Sequence, residues 1–285
     1  MKKILKSVCL ALGANLICGV AVAQIYVASA NNGVIMKYDN SGGSASAFAN
    51  IGLVTSLAYN NGFLYAASQS SNVVVRYNSS GQGSLFFSGL NTPNAIAFDN
   101  SGNLYVANFN GGDVLKINSL GQSSVFVSGL NGPYGLAFDN SGNLWVGNSL
   151  ANTINEYNSL GQGIGSINSN LSQPTGMAFD NSGNLFVANG SSGTIEKFNS
   201  LGQGSLFASG LNTPSYLALD GSGNLYVSQY NGNSVLKFDQ GGNGTPFISS
   251  GLNGPNGIVI VPEPQSIALI AFGATVLAIV RRKKS

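Results

Sequence analysis

Short apolar stretches separated by polar turns recur along the chain from Gln24 to Val261. In one repeat, four stretches have strand-like composition, and Asn-, Ser- and Gly-rich turns separate them: Asn94–Phe98, Asn103–Ala107, Asp113–Ile117 and Ser123–Val127. Helical periodicity is absent throughout the repeats. The pattern therefore predicts an all-β region built from short strands and tight turns.

The second stretch of this unit recurs at intervals of about forty residues, which indicates six copies of one unit. Its copies begin at Gln24, Phe63, Asn103, Asn143, Asn184 and Asn224, and they share a Leu/Ile-aromatic-Val/Ala core. Four short strands in about forty residues are typical of a propeller blade. A β-helix or open solenoid is the alternative, but its coils are usually shorter.

The two ends of the array predict that the ring closes. The first copy starts at a second strand, Gln24–Val27, and the last copy is followed by an additional first strand, Asn256–Ile260. If these two strands pair, the termini complete one blade together and leave no unpaired sheet edge between the ends of the array. We therefore expect a six-bladed β-propeller of four-stranded blades over residues 24–261.

The composition of this region argues against some classes of function. Of 285 residues 39 are Gly, 44% are hydrophobic and only 8% are charged, which suits a packed core with many turns. The basic residues cluster at the chain ends, and residues 24–261 contain nine acidic against five basic side chains. No basic stripe is available to follow phosphates, so nucleic-acid binding is disfavoured. The chain has no His, and both Cys lie in the N-terminal segment.

The two ends of the chain have the composition of targeting segments. Residues 1–23 combine Lys2, Lys3 and Lys6, an apolar run and a terminal Ala21-Val22-Ala23, which predicts a secretory signal peptide cleaved after Ala23. A buried N-terminal helix is the alternative. Residues 262–285 contain Pro262-Glu263-Pro264, an apolar stretch and a basic tail. As a helix of about 21 Å, this stretch is short for a permanent membrane anchor.

The order of features in residues 262–285 resembles the PEP-CTERM sorting signal. That resemblance implies processing by an exosortase near Pro262–Pro264 in a Gram-negative bacterium that makes exopolysaccharide. It also implies transient membrane association through the C-terminal helix and delivery to the envelope surface or the outside. A plain tail anchor is the alternative. The processing partners expected are a signal peptidase and an exosortase.

The repeat itself resembles the NHL repeat, in which a Pro-x-Gly-Ile-Ala-Val-Asp stretch precedes a Gly-Asn turn and an Ile-Tyr-Val-Ala-Asp strand. Pro133–Asp139 and Pro174–Asp180 fit the first part of the pattern. The chain differs where the family often has Asp after Val-Ala, because Asn108, Asn148 and Asn189 stand there. This difference weakens a metal-binding expectation taken from the family.

Four repeated carboxylates follow the first strands, namely Asp99, Asp139, Asp180 and Asp220. One interpretation is functional, in which these four residues form a ring of carboxylates. We instead expect each Asp to accept backbone N–H bonds in the Asn-Ser-Gly turn that follows it, because a feature present in most blades is usually architectural. Glu156 and Glu196 are expected on third strands, away from the channel and in contact with solvent.

A candidate ligand face comes from the loops that lead into and out of the inner strands. One group follows the Pro position: Thr55, Asn94, Tyr134, Thr175, Ser215 and Asn256. A second group ends the second strands: Ser29, Ser68, Asn108, Asn148, Asn189 and Gln229. With Phe109, Tyr216 and Tyr230, these uncharged groups suit a neutral polar ligand such as a glycan, or a protein surface. Solvated loops without a ligand are the alternative.

The same residues do not suggest an enzyme. Related propeller enzymes use channel carboxylates with a divalent metal, or channel histidines, and neither is predicted here. No metal, cofactor or activated nucleophile is expected. The sequence therefore favours a non-catalytic propeller that binds exopolysaccharide or an envelope protein. A lactonase- or lyase-like enzyme with an atypical site, or a structural spacer, remains the alternative.

Overall fold

Each apolar stretch of the repeat forms a β-strand, because alternate side chains enter the core while Asn, Ser and Gly close the turns. The structure is a computed structural model that describes residues 23–43 and 45–261. Within it, Gln24–Val261 form one compact unit. The predicted signal peptide up to Val22 and the sorting segment 262–285 lie outside the described residues.

The strands fall into six four-stranded antiparallel sheets among the described residues, which we call blades 1 to 6. Blade 1 contains β24 (Pro255–Val261), β1 (Gln24–Ser29), β2 (Val34–Asp39) and β3 (Ala45–Asn50). Blade 2 contains β4 (Val54–Asn60), β5 (Phe63–Ser68), β6 (Val73–Tyr77) and β7 (Gly83–Ser88); blade 3 contains β8 (Pro93–Phe98), β9 (Leu104–Asn108), β10 (Asp113–Ile117) and β11 (Ser123–Ser128). Blade 4 contains β12 (Pro133–Phe138), β13 (Leu144–Asn148), β14 (Thr153–Tyr157) and β15 (Gly163–Ile167); blade 5 contains β16 (Pro174–Phe179), β17 (Leu185–Asn189), β18 (Thr194–Phe198) and β19 (Gly204–Ala208). Blade 6 contains β20 (Pro214–Leu219), β21 (Leu225–Gln229), β22 (Ser234–Phe238) and β23 (Gly244–Ile248).

The first strand of each blade contacts the first strands of its two neighbours, so the blades form a closed ring. Closure occurs within blade 1, as predicted. β24 pairs with β1 in antiparallel register, with Ile25 opposite Ile260 and Val27 opposite Ile258. The six-bladed propeller predicted from the repeats is confirmed.

The hydrophobic core lies between the inner strands of neighbouring blades. The second strands are buried along their length because both faces are covered, and Val106, Val187 and Val227 have no exposed surface. Aromatic rings join one blade to the next in edge-to-face contacts. Tyr105 contacts Phe138 of blade 4 at 5.0 Å between ring centroids, and it contacts Phe126 of its own blade at the same distance.

The repeated Asp residues are turn residues, as expected. Asp99 Oδ1 accepts hydrogen bonds from the backbone N–H groups of Ser101 at 3.0 Å and Asn103 at 2.8 Å. Asp139, Asp180 and Asp220 make the same pair of bonds. Asn103 belongs to the turn, because its side chain also donates to Asp99. β9 therefore starts at Leu104, one residue later than the predicted Asn103.

Helical structure plays little part in the described ranges, where the helix at Ala30–Asn32 is a single 3-10 turn. Between Ala23 and Val261, no helix has the length and hydropathy needed to cross a membrane. The predicted transmembrane-like terminal helices fall on residues outside these ranges.

Candidate functional site

The first strands of the blades line a narrow central channel. The second residue after the Pro position is small in five blades: Ser56, Ala95, Gly135, Gly176 and Gly257. These positions allow adjacent first strands to approach closely. A Cβ on Gly135 would lie 2.0 Å from the Thr175 carbonyl oxygen, and one on Gly176 would lie 2.5 Å from the Tyr216 Cα.

Tyr216 stands at this position in blade 6, and its side chain reaches across the ring. Its hydroxyl is hydrogen-bonded to Ser56 Oγ of blade 2, which is not an adjacent blade. Ser56 Oγ also accepts the Ile96 N–H at 3.1 Å. Burial raises the pKa of Tyr216 above its ordinary value. The aromatic side chain that the sequence placed on the ligand face is therefore part of the channel interior.

At the end of the channel where the first strands begin, the structure has a cavity of about 270 Å³. Among the described residues, none that lines it is charged: Ala30, Leu53, Thr55, Gln69, Asn94, Phe109, Tyr134, Gln173, Tyr230 and Asn256. We call this the mouth cavity. Six of its residues belong to the predicted face: Thr55, Asn94, Tyr134 and Asn256, with the aromatic residues Phe109 and Tyr230.

Asn256 and Tyr134 belong to opposite blades and span the mouth cavity. Asn256 Nδ2 lies 3.5 Å from the Tyr134 hydroxyl oxygen. Burial raises the pKa of Tyr134, although the hydrogen bond from Asn256 lowers it, so the phenol is neutral at physiological pH. Asn256 is 5% exposed, and its Oδ1 has no hydrogen-bond partner within the described ranges. A buried amide oxygen is costly to leave unbonded.

Three of the predicted site hydroxyls make structural contacts between blades. Thr55 Oγ1 donates to the Pro93 carbonyl oxygen at 2.7 Å and Thr175 Oγ1 to the Pro214 carbonyl oxygen at 2.9 Å. Ser215 Oγ donates to the Pro255 carbonyl oxygen at 2.9 Å. In each case the first strand of one blade is bonded to the first strand of the next.

The predicted residues at the ends of the second strands are buried and bind neighbouring loops. The backbone N–H of Asn91 donates to Asn108 Oδ1, that of Ser172 to Asn189 Oδ1 and that of Asn212 to Gln229 Oε1, at 2.8 to 3.2 Å. Asn148 Nδ2 instead donates to Asn155 Oδ1 at 2.6 Å, and Asn148 Oδ1 has no hydrogen-bond partner within the described ranges. A ligand would reach the amide oxygens of Asn108, Asn189 and Gln229 only by displacing these backbone bonds.

Residues that directly follow the second strands line the mouth cavity, whereas the residues that end these strands do not. Ala30, Gln69, Phe109 and Tyr230 all line the mouth cavity. Sequence reasoning identified Phe109 and Tyr230 as aromatic groups of this face but missed Ala30, Gln69, Leu53 and Gln173. For Ala30 and Gln69 the missed signal was the position itself, since the first residue beyond the second strand leaves the hydrogen-bonded ladder; Leu53 and Gln173 directly precede first strands.

Aromatic side chains from blades 3, 4 and 6 line the mouth cavity. Phe109 packs edge-to-face on Tyr134, with 6.3 Å between ring centroids, and the Tyr230 hydroxyl donates to Asn31 Oδ1 at 2.7 Å. Aromatic faces beside amides and hydroxyls suit a ligand that has both apolar surface and hydroxyl groups.

No family model matches this chain, and no curated protein matches it. Solved structures do. A chain of a nidogen/laminin complex is 22% identical over 85% of this chain and 99% of its own length, with a TM-score of 0.75. Virginiamycin B lyase from Staphylococcus aureus is 14% identical over 88% of this chain and 94% of its own, with a TM-score of 0.66.

A protein of unknown function from Bacteroides caccae is also similar, with 15% identity over 85% of this chain and 100% of its own and a TM-score of 0.71. At these identities, the similarity shows a shared fold.

The chemistry available at the mouth cavity is hydrogen bonding and aromatic contact by neutral groups. Hard cations and phosphates need charged partners, and none lines this cavity in the described part of the chain. Nor do the described residues contain a group of three or more His, Cys, Asp or Glu side chains placed to hold a metal ion.

Proposed function

We propose that this protein is an exported, non-catalytic β-propeller that binds a glycan, or a protein partner through equally neutral contacts, in the mouth cavity. The observation that carries the proposal is the cavity of about 270 Å³ lined by uncharged polar and aromatic side chains. Asn256 lines it, and a rotation of its amide would present the buried, unbonded Oδ1 to a ligand hydroxyl.

A neutral glycan matches this lining better than an ionic ligand does. Sugar hydroxyls donate and accept hydrogen bonds, while sugar C–H faces pack on aromatic rings. Asn94 and Gln69 supply amides, and Phe109, Tyr134 and Tyr230 supply rings. Burial of these groups strengthens each hydrogen bond that a ligand completes.

The setting of this binding is proposed from the chain ends. The secretory signal in residues 1–23 and the PEP-CTERM-like segment 262–285 support export, sorting by an exosortase and delivery to the cell surface or the exopolysaccharide matrix of a Gram-negative bacterium. Fractionation of cells that express the tagged protein, with and without residues 262–285, tests this part. Unchanged processing and location after the deletion would contradict it.

The binding proposal is tested with residues 24–261, which close on themselves through β24 and β1. A glycan array and an envelope-protein pull-down are run with this propeller, with a double variant Asn94→Ala/Tyr134→Ala and with Asn181→Ala. Asn181 is an exposed amide at the opposite end of the blades. Binding that the double variant loses and Asn181→Ala keeps supports the proposal, whereas binding that both keep places the ligand elsewhere.

A lyase-like enzyme is a second candidate, because virginiamycin B lyase shares the fold. Another structure of that lyase, containing quinupristin, is of a catalytically inactive histidine-to-alanine variant, and the present chain has no His. Incubation of the propeller with quinupristin, followed by mass spectrometry, separates the two candidates. A change in the mass of the compound, or a stoichiometric metal in the purified protein, would favour the enzyme.

A further inference from the structure

Three blades hold a lysine ammonium between a carboxylate and an aromatic ring at the ends of the strands opposite to the mouth cavity. In blade 3, Lys116 Nζ lies 3.6 Å from Asp99 Oδ2 and 5.3 Å from the Tyr105 ring centroid. The corresponding groups are Asp180, Lys197 and Phe186 in blade 5, at 3.9 and 5.1 Å, and Asp220, Lys237 and Tyr226 in blade 6, at 3.7 and 5.0 Å.

Blade 4 has the same site without its ammonium. Strand register places Glu156 opposite Trp145, just as it places Lys116 opposite Tyr105. Asp139 is the turn carboxylate of this blade. The position that supplies a cation in blades 3, 5 and 6 therefore supplies a second carboxylate here, beside the largest aromatic ring.

The two carboxylates of blade 4 face one space. Asn143 Nδ2 donates to both, to Asp139 Oδ2 at 3.2 Å and to Glu156 Oε1 at 2.9 Å. Trp145 Nε1 donates to Asp139 Oδ2 at 3.1 Å. Glu156 lies on the third strand, as expected, and is half-buried. Burial raises the pKa of Glu156, and the charge of Asp139 also raises it. The hydrogen bond from Asn143 lowers this pKa, but the net shift is upward.

A cavity of about 320 Å³ opens onto these groups between blades 4 and 5, with Asp139, Asn143, Trp145, Glu156 and Phe179 in its lining. Within the described part of the chain, its lining includes no Lys or Arg. The equivalent cavity between blades 5 and 6, about 340 Å³, contains both Asp180 and Lys197. The cavity between blades 5 and 6 is therefore an internal control, because Lys197 already neutralises the carboxylate at the equivalent position.

We propose that Asp139, Glu156 and Trp145 bind the ammonium group of a lysine side chain from a partner protein. The external ammonium would take the place that Lys116, Lys197 and Lys237 occupy in their blades. Two carboxylates provide charge-assisted hydrogen bonds, and the Trp145 ring is the best aromatic partner for a cation. The excess of acidic over basic residues in the propeller favours the approach of a basic partner. This site is independent of the mouth cavity.

Trp145 is the single tryptophan of the chain, so its fluorescence reports this site directly. The propeller is titrated at low salt with Nα-acetyl-lysine methylamide and, in parallel, with the same compound acetylated at Nε. We expect a saturable fluorescence change with the charged compound and none with the neutral one. Glu156→Lys recreates the arrangement of blades 3, 5 and 6 and should therefore fold, but it should weaken binding at least tenfold.

Lys197→Met, which alters the equivalent cavity between blades 5 and 6, is the matched control and should leave the titration unchanged. A linear or equal response to the two compounds would overturn the proposal, as would full affinity in the folded Glu156→Lys variant. Saturation by CaCl₂ alone at lower concentration than by the ammonium compound would assign the carboxylates to a metal ion and would also overturn it.

Discussion

Asn256 Nδ2 and the Tyr134 hydroxyl oxygen lie 3.5 Å apart across the channel, although 122 residues separate them in the chain. Asn256 belongs to β24, the strand that closes the ring, and Tyr134 belongs to the opposite blade. The mouth cavity therefore exists only when the ring is closed, so the proposed ligand binding requires ring closure.

Removal of the closing strand should unfold the propeller. A chain ending at Gly254 loses β24, exposes the edge of β1 and removes the apolar side chains Ile258 and Ile260 from the core. We expect no cooperative urea transition and an increased tendency to aggregate. Residues 24–261 are the control and should unfold in one cooperative transition. A truncated chain with the same midpoint would contradict the closed ring.

The close approach of first strands makes Gly135 sensitive to a single methyl group. The Cβ of Gly135→Ala would lie 2.0 Å from the Thr175 carbonyl oxygen, so the strands must separate. We expect a loss of about 1–3 kcal/mol in the free energy of unfolding. Gly221→Ala is the control, because no atom lies within 4 Å of its Cβ, and it should change stability by less than about 0.5 kcal/mol. Urea denaturation measures both, and equal effects would contradict the tight channel.

Much of this architecture could be predicted from the repeats because the turn and core residues recur in most copies. Six blades, four strands each and closure by the terminal strands all follow from that recurrence. The mouth cavity was only partly predictable. Asn108 and Asn189 vary little and are polar, yet the structure buries them against the loop backbone, which no composition rule reveals.

The residue directly after a second strand has a different environment from the residue that ends the strand, and the reason is geometric. Phe109 follows the last ladder residue of β9 and turns toward the cavity, whereas the side chain of Asn108 turns inward. The site in blade 4 could have been found by aligning the copies, since Glu156 replaces the Lys found at Lys116, Lys197 and Lys237. Its meaning depends on the contacts with Asp139 and Trp145, which the sequence does not show.

Hydrogen bonds between the first strands should contribute measurably to ring stability. Thr175→Val keeps the shape of the side chain but removes its bonds to the Ala188 and Pro214 carbonyl oxygens in a buried site. We expect a loss of about 1–3 kcal/mol in the free energy of unfolding. Thr245→Val removes an exposed bond to the Lys237 carbonyl oxygen and should cost less than about 0.5 kcal/mol. If the two variants have the same urea midpoint, the bonds between blades carry no stability.

Three of the turn carboxylates, Asp99, Asp180 and Asp220, should make the propeller sensitive to acid. Burial raises the pKa of Asp180, but hydrogen bonds from Asn184 and Ser182 and the charge of Lys197 together hold that pKa below its usual value. Because the folded pKa lies below the unfolded one, this stabilisation is present above pH 4 and is lost as the pH falls through the folded pKa. Asp180→Asn should therefore lower the unfolding free energy at pH 7, and by less at pH 2.

Urea denaturation of Asp180→Asn and the parent chain at the two pH values measures this difference. Solvent screens the partly exposed site, so we expect an effect of about 1 kcal/mol or less at pH 7. A difference that stays the same at both pH values would mean that the charge of Asp180 does not stabilise the turn.

The dissociation constant of the propeller for the glycan selected on the array tests the central claim most directly. Calorimetric titrations compare the parent chain with Asn256→Ala and with Asn181→Ala. If the ligand donates a hydroxyl to the buried Asn256 Oδ1, Asn256→Ala should weaken binding about tenfold, while Asn181→Ala should bind as the parent does. An unchanged constant in a correctly folded Asn256→Ala variant would contradict binding in the mouth cavity.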